Sequence, residues 1–124
     1  MSIIVTGSAG HLGEALVRSF RAEGRSVIGV DRKSSPFTDR VGSICDESFV
    51  ESCMKHASAV VHAATLHKPH LVTHSWQDFI DTNVSGTLVL LKAAIAVGVQ
   101  SFIFVSTTSA FGSSLSPEIG RAHV

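Results

Sequence analysis

The stretch IIVTGSAGHLG (residues 3–13) decides the fold. Its first half is a short β-branched apolar run, the pattern of a strand buried on both faces. Glycines follow at 7, 10 and 13, and from Leu12 apolar residues recur at helical spacing through Ala15, Leu16 and Phe20. A strand running through three glycines into a helix is a variant of the dinucleotide fingerprint, here spaced G-x-x-G-x-x-G. In that motif Gly7 permits the tight turn, Gly10 lets the backbone approach a pyrophosphate, and Gly13 allows close helix–strand packing. The helix start supplies free N–H groups and a partial positive charge to the phosphates.

Outward from this turn, strands and helices alternate. The first helix stops near Gly24. SVIGV (26–30) is a second strand ending in Asp31, and a weak strand lies around Arg40–Val41. Asp46 caps a helix running to about His56, and SAVVHAA (58–64) is a further strand. Ser75 and Asp78 form a capping box that opens a long helix through Leu88, Leu91 and Ala94 to Gly98. SFIFVS (101–106) is the last strand. This order predicts an α/β, doubly wound parallel sheet with right-handed crossovers. Asp31, at the end of the second strand, is placed to accept bonds from ribose hydroxyls. Its charge disfavours a 2′-phosphate, which points to NAD; Arg32 beside it keeps NADP open.

Composition narrows the classes. The chain has 124 residues, 44% of them hydrophobic, and a formal net charge of zero, which suits one domain. Neutrality gives no electrostatic basis for binding nucleic acid or an anionic membrane. The apolar stretches read as too short and too interrupted to span a bilayer, and the N-terminus lacks the pattern of a signal peptide. Cys45 and Cys53 fit free thiols in a reducing compartment, so the expected location is the cytoplasm. Four histidines at 62, 67, 70 and 74 lack a supporting Cys or carboxylate cluster, so no metal site is expected.

Several motifs in one order resemble the extended short-chain dehydrogenase/reductases, the NAD-dependent epimerase/dehydratase family, over residues 1 to about 117. TGSAGHLG resembles the family's TGxxGxxG, VVHAA (60–64) its cofactor-side strand, NVSGTLVLLKAA (83–94) its N-V-x-G-T helix, and FIFVSTTSAFG its substrate-side strand. The resemblance implies a Rossmann fold that binds NAD(P). It implies Gly7, Gly10, His11, Leu12 and Gly13 around the pyrophosphate, and Asp31 with Arg32 at the adenosine ribose. Ser43 and Ile44 fall where the family has Asp-Ile near the adenine, Ser43 replacing the acid. Ala63, Ala64 and Thr65 would line the cleft, and Asn83 would help hold the active-site geometry.

The resemblance further implies that Thr107, flanked by Ser106 and Thr108, orients a substrate hydroxyl or carbonyl, a role a hydroxyl fits because it both donates and accepts. The family's acid/base pair is Y-x-x-x-K, yet the chain contains no tyrosine, and Phe111 stands where a Tyr usually precedes Gly112. Residues 118–124, EIGRAHV, coincide with one translated frame of a common sequencing-library adapter. The expected organisation is therefore a partial cofactor-binding domain at 1–117 and a non-native tail at 118–124. The expected activity belongs to an oxidoreductase or epimerase/dehydratase acting on a small-molecule alcohol or ketone. A sugar nucleotide is one candidate substrate and a steroid another, and a homodimer is the candidate assembly. A non-catalytic dinucleotide-binding or sensor module is the alternative.

Overall fold

Five strands line up as one parallel sheet. The computed structural model describes residues 1–66, 70 and 72–106. The chain gives β1 (Ser2–Thr6), α1 (His11–Ala22), β2 (Val27–Asp31), β3 (Arg40–Val41), α2 (Glu47–Met54) and β4 (Ala57–His62). A continuous helix follows, made of α3 (Trp76–Ile80), a π-helical segment (Asp81–Gly86) and α4 (Thr87–Val97), and β5 (Ser101–Phe104) is the last strand among the described residues. The strand order is β3-β2-β1-β4-β5, every pair parallel. The chain steps one way from β1 to β3 and the other way from β4 to β5. The sheet therefore changes direction between β1 and β4, the place where open α/β sheets bind ligands.

The two faces carry separate cores. On one, Val17 of α1 packs with Val5 and Val61. On the other, α2 and α4 bury Val50, Met54, Leu90 and Ala94 over Ile4, Val30 and Val60. Both expected caps form. Asp46 accepts the N–H of Phe49, and Ser75 and Asp78 exchange the two bonds of a capping box. That box also holds the Asp78 carboxyl below its usual range, through hydrogen bonds from Ser75. Gly24 and Gly98 end their helices at φ of 75° and 73°, where a side chain would be strained.

Three expectations change. β4 starts one residue earlier and ends at His62, past which the N–H groups of Ala63 and Ala64 go to the side chain of Thr6, Ala63 also reaching the Thr6 carbonyl at 3.3 Å. The long helix is not uniform, since six of its residues are π-helical. And one helix, Trp76–Val97, is long and apolar enough to cross a membrane, at 22 residues and a mean hydropathy of 1.4. Leu90, Ala93 and Ala94 on this helix are buried in the domain core, which accounts for part of that apolarity without a bilayer.

Candidate functional site

The carboxyl ends of β1, β2 and β4 converge on the glycine turn. Gly7 leaves β1 at φ 78° and donates its N–H to Val30 of β2 at 2.8 Å. A Cβ on Gly7 would come within 2.9 Å of the backbone of Ala63 and Ala64, so no other residue fits there. At Gly13 a Cβ would lie 1.9 Å from the carbonyl oxygen of Gly7. The first turn of α1 is thereby pressed directly onto the end of β1. Gly10 precedes the helix with no side-chain cap. The N–H groups of the first turn, on His11, Leu12 and Gly13, thus have no side-chain capping oxygen.

Asp31 closes the flank of this turn. Its Oδ2 accepts the N–H of Ala9 at 3.0 Å and its Oδ1 that of Lys33 at 2.9 Å. Each carboxylate oxygen retains a second lone pair, so the group is fixed in place while still able to accept. Arg32 is exposed beside it. A shallow cleft of about 270 Å³ lies between the β3–α2 connection and the long helix, lined by Arg32, Ser43, Cys45, Asp78, Asp81, Thr82 and Ser85. Within it, the Ser43 hydroxyl accepts the N–H of Cys45 at 3.1 Å. The Ile44 side chain turns the other way into the core, where its Cδ1 would meet a Cβ on Gly86 at 2.5 Å. A second hollow, of about 390 Å³ and lined by His74, Ser75, Trp76 and Phe79, shares no residue with the glycine turn.

Ala63, Ala64 and Thr65 run past Gly7 as the loop leaving β4. Asn83 does not reach the glycine turn. It pairs with that loop instead, its Oδ1 accepting the N–H of Leu66 at 2.7 Å and its Nδ2 donating to the Leu66 carbonyl at 2.8 Å. Thr107 and Thr108, Phe111, His67 and the tail 118–124 lie outside the described residues. Among the described residues no group of three or more His, Cys, Asp or Glu could hold a metal. Cys45 is exposed and Cys53 buried, both as free thiols; burial raises the pKa of the latter.

Sequence reasoning missed a set of buried polar residues behind the turn. His62, fully buried, lies between Thr6 and Thr87, with Nδ1 at 2.6 Å from one hydroxyl and Nε2 at 2.8 Å from the other. Desolvation lowers its pKa to about 4. The signal was available: a histidine inside an apolar strand beside another strand ending in threonine needs partners for both ring nitrogens.

Comparison with known proteins decides the relationship. The profile of the NAD dependent epimerase/dehydratase family matches residues 3–123. The chain belongs to that family. A UDP-glucose 4-epimerase of Erwinia amylovora is 32% identical over 90% of this chain and 38% of its own length. A dTDP-glucose 4,6-dehydratase of Streptomyces antibioticus is 35% identical over 91% of this chain and 39% of its own. A short-chain dehydrogenase/reductase superfamily protein of Agrobacterium tumefaciens, crystallised with bound NAD, superposes with a TM-score of 0.80 at 34% identity. That match covers 90% of this chain and 34% of the other. The chain thus spans about 40% of the length of such epimerase/dehydratase relatives. The parallel sheet and glycine turn are the Rossmann architecture of the family.

Proposed function

We propose that this chain is the N-terminal, cofactor-binding part of an NAD-dependent oxidoreductase or epimerase/dehydratase acting on a secondary alcohol or ketone of a sugar nucleotide. The observation that carries the reading is the glycine turn, where side chains are excluded at Gly7 and Gly13 and the Asp31 carboxylate is anchored at its flank. This cradle fits a dinucleotide. The first-turn N–H groups of α1 would hold its pyrophosphate, and the free lone pairs of Asp31 would take ribose hydroxyls. Ser43 and the cleft beside it would border the adenine, and Ala63 to Thr65 would line the nicotinamide side. NAD, when bound, supplies a hydride acceptor and donor at its nicotinamide ring.

The choice of sugar nucleotide follows the relatives, two of which are named for UDP-glucose and dTDP-glucose. Thr107 is proposed as the hydroxyl that orients the substrate. The acid/base tyrosine of the family is not among these 124 residues, so turnover is assigned to the protein only together with residues beyond them. A homodimeric assembly and a cytoplasmic location belong to the same proposal. So does the assignment of residues 1–117 to the domain and 118–124 to a tail of foreign origin, which sequencing the gene across that junction tests.

Calorimetric titration of the full-length protein with NAD and with NADP tests the reading. NAD is expected to bind at least tenfold more tightly, because the Asp31 charge repels a 2′-phosphate. Equal affinity would reassign the cofactor, and no binding of either would sink the proposal. NAD binding without turnover of any nucleotide sugar would favour the sensor module.

A further inference from the structure

Behind the cleft, the buried polar groups form one continuous line of hydrogen bonds. Thr6 Oγ1 accepts the N–H groups of Ala63 and Ala64, each at 3.0 Å. The Ala63 N–H is shared with the Thr6 carbonyl at 3.3 Å, and together the two amides load the lone pairs of the Thr6 hydroxyl and turn its proton outward. Its recipient is His62 Nδ1 at 2.6 Å. Across the ring, Nε2 stands 2.8 Å from Thr87 Oγ1, and the Thr87 hydroxyl donates to the Asn83 carbonyl at 2.8 Å. Having donated there, Thr87 can only accept from the ring. This arrangement of donors and acceptors fits a neutral imidazole with its proton on Nε2.

The line ends on the residue that clamps Leu66. Asn83 receives the Thr87 hydroxyl at its backbone carbonyl, while its side-chain amide binds both backbone groups of Leu66. The other end, Thr6, holds Ala63 and Ala64 against Gly7, where even a Cβ would not fit. Both ends thus grip one loop, residues 63–66, and His62 joins them. The ring also sits 5.7 Å from Phe104 and 6.3 Å from Phe102, centroid to centroid.

We propose that His62 is a positioning residue: as the Nε2–H tautomer it couples Thr6 to Thr87 and Asn83, and so fixes loop 63–66 beside the glycine turn. Its consequence for cofactor affinity rests on the function proposed above; the tautomer and the coupling do not.

Nitrogen NMR of histidine-labelled full-length protein at neutral pH is expected to show His62 with an unprotonated Nδ1 and a slowly exchanging proton on Nε2. An Nδ1–H or doubly protonated ring overturns the proposal. The variant T87V removes the acceptor at constant volume, and T87S retains it. In T87V, amide exchange at Leu66 should accelerate at least tenfold relative to Val17 and Gly29, which lie outside the line, and NAD affinity should fall at least threefold. T87S should restore both. Unchanged Leu66 exchange, or unchanged NAD affinity, in a folded T87V overturns the proposal; if T87V does not fold, the wild-type tautomer decides. A wild-type protein that binds no NAD defeats the proposed function instead, leaving the tautomer and exchange results to judge this inference.

Discussion

The helix α1 and the helix Trp76–Val97 cover opposite faces of the sheet, and they meet water differently. α1 turns Val17 inward, half-buries Leu16 and Phe20, and presents Arg18 and Arg21 outward, the latter bonded to Asp39. The longer helix buries Leu90, Ala93 and Ala94, yet its outer side exposes Trp76, Ile80, Val84, Leu88, Leu91 and Ile95, with Trp76 at 80% and Ile95 at 78%. Strand β5 beside it also exposes Ile103 and Phe104. A helix with a polar outer face is finished; one with apolar residues on both faces is shaped for a second covering. Apart from Leu12, the α1 side thus meets water through polar groups, while the long helix and β5 leave a run of apolar side chains uncovered among the described residues.

The largest test of that contrast uses one glycine from each helix. G13A places a methyl 1.9 Å from the backbone oxygen of Gly7. It should cost at least about 3 kcal/mol in thermal or denaturant unfolding, because backbone cannot move aside. G86A meets the Ile44 side chain, its Cδ1 at 2.5 Å and its Cγ1 at 2.7 Å, and should cost less, about 1–2 kcal/mol, since a side chain rather than backbone must shift. Similar costs for the two would erase the distinction.

Acid should loosen the side joined through His62. Its folded pKa, about 4, lies below the ordinary 6.5. A depressed histidine pKa means the unfolded chain binds the proton first. The stabilisation is therefore whole above pH 6.5, shrinks as pH falls, and is gone once pH passes below 4, a total of about 3 kcal/mol. A denaturant series from pH 7 to pH 4 measures it, with H62F as the control that should flatten this part of the curve.

On the cofactor side, D31A should weaken NAD binding roughly tenfold to a hundredfold, the range for hydrogen bonds to a charged group. Titration calorimetry reads it directly, and a loss below threefold would remove Asp31 from the site. The smallest effects concern the surfaces themselves. R18A on α1 and L88E on the long helix should each change stability by less than about 0.5 kcal/mol. Only L88E should alter sedimentation, by reducing self-association; equal behaviour of the two variants would count against the outer face as an interface.

What the sequence disclosed follows from the reach of each interaction. The glycine turn, the caps at Asp46 and Ser75 and the alternation of strands and helices were legible because each depends on neighbours a few residues apart. The order of the strands within the sheet was not, because it is set by pairing between distant segments. The π-helical segment was not legible, because the apolar pattern on either side of it reads as one helix. Nor was the role of His62, whose partners lie 56 and 25 residues away. Asn83 was anticipated as a geometry-holding residue, but its partner, the backbone of Leu66, carries no mark in the sequence.

The π-helical segment at 81–86 has a consequence for how this chain tolerates changes of length. Along an ordinary helix each residue turns the chain by about 100°. Deleting one residue between Asp81 and Gly86 would let the segment relax into regular α-helix. A π-helix closes its hydrogen bonds one residue later than an α-helix, so its six residues here turn the chain about as far as five α-helical ones would. Trp76 and Ile80 would therefore keep their azimuth relative to Leu88, Leu91 and Ile95. A deletion that shortens the gene by one codon would thus be absorbed within the segment, and its cost would fall on Asn83 and the Leu66 loop it holds.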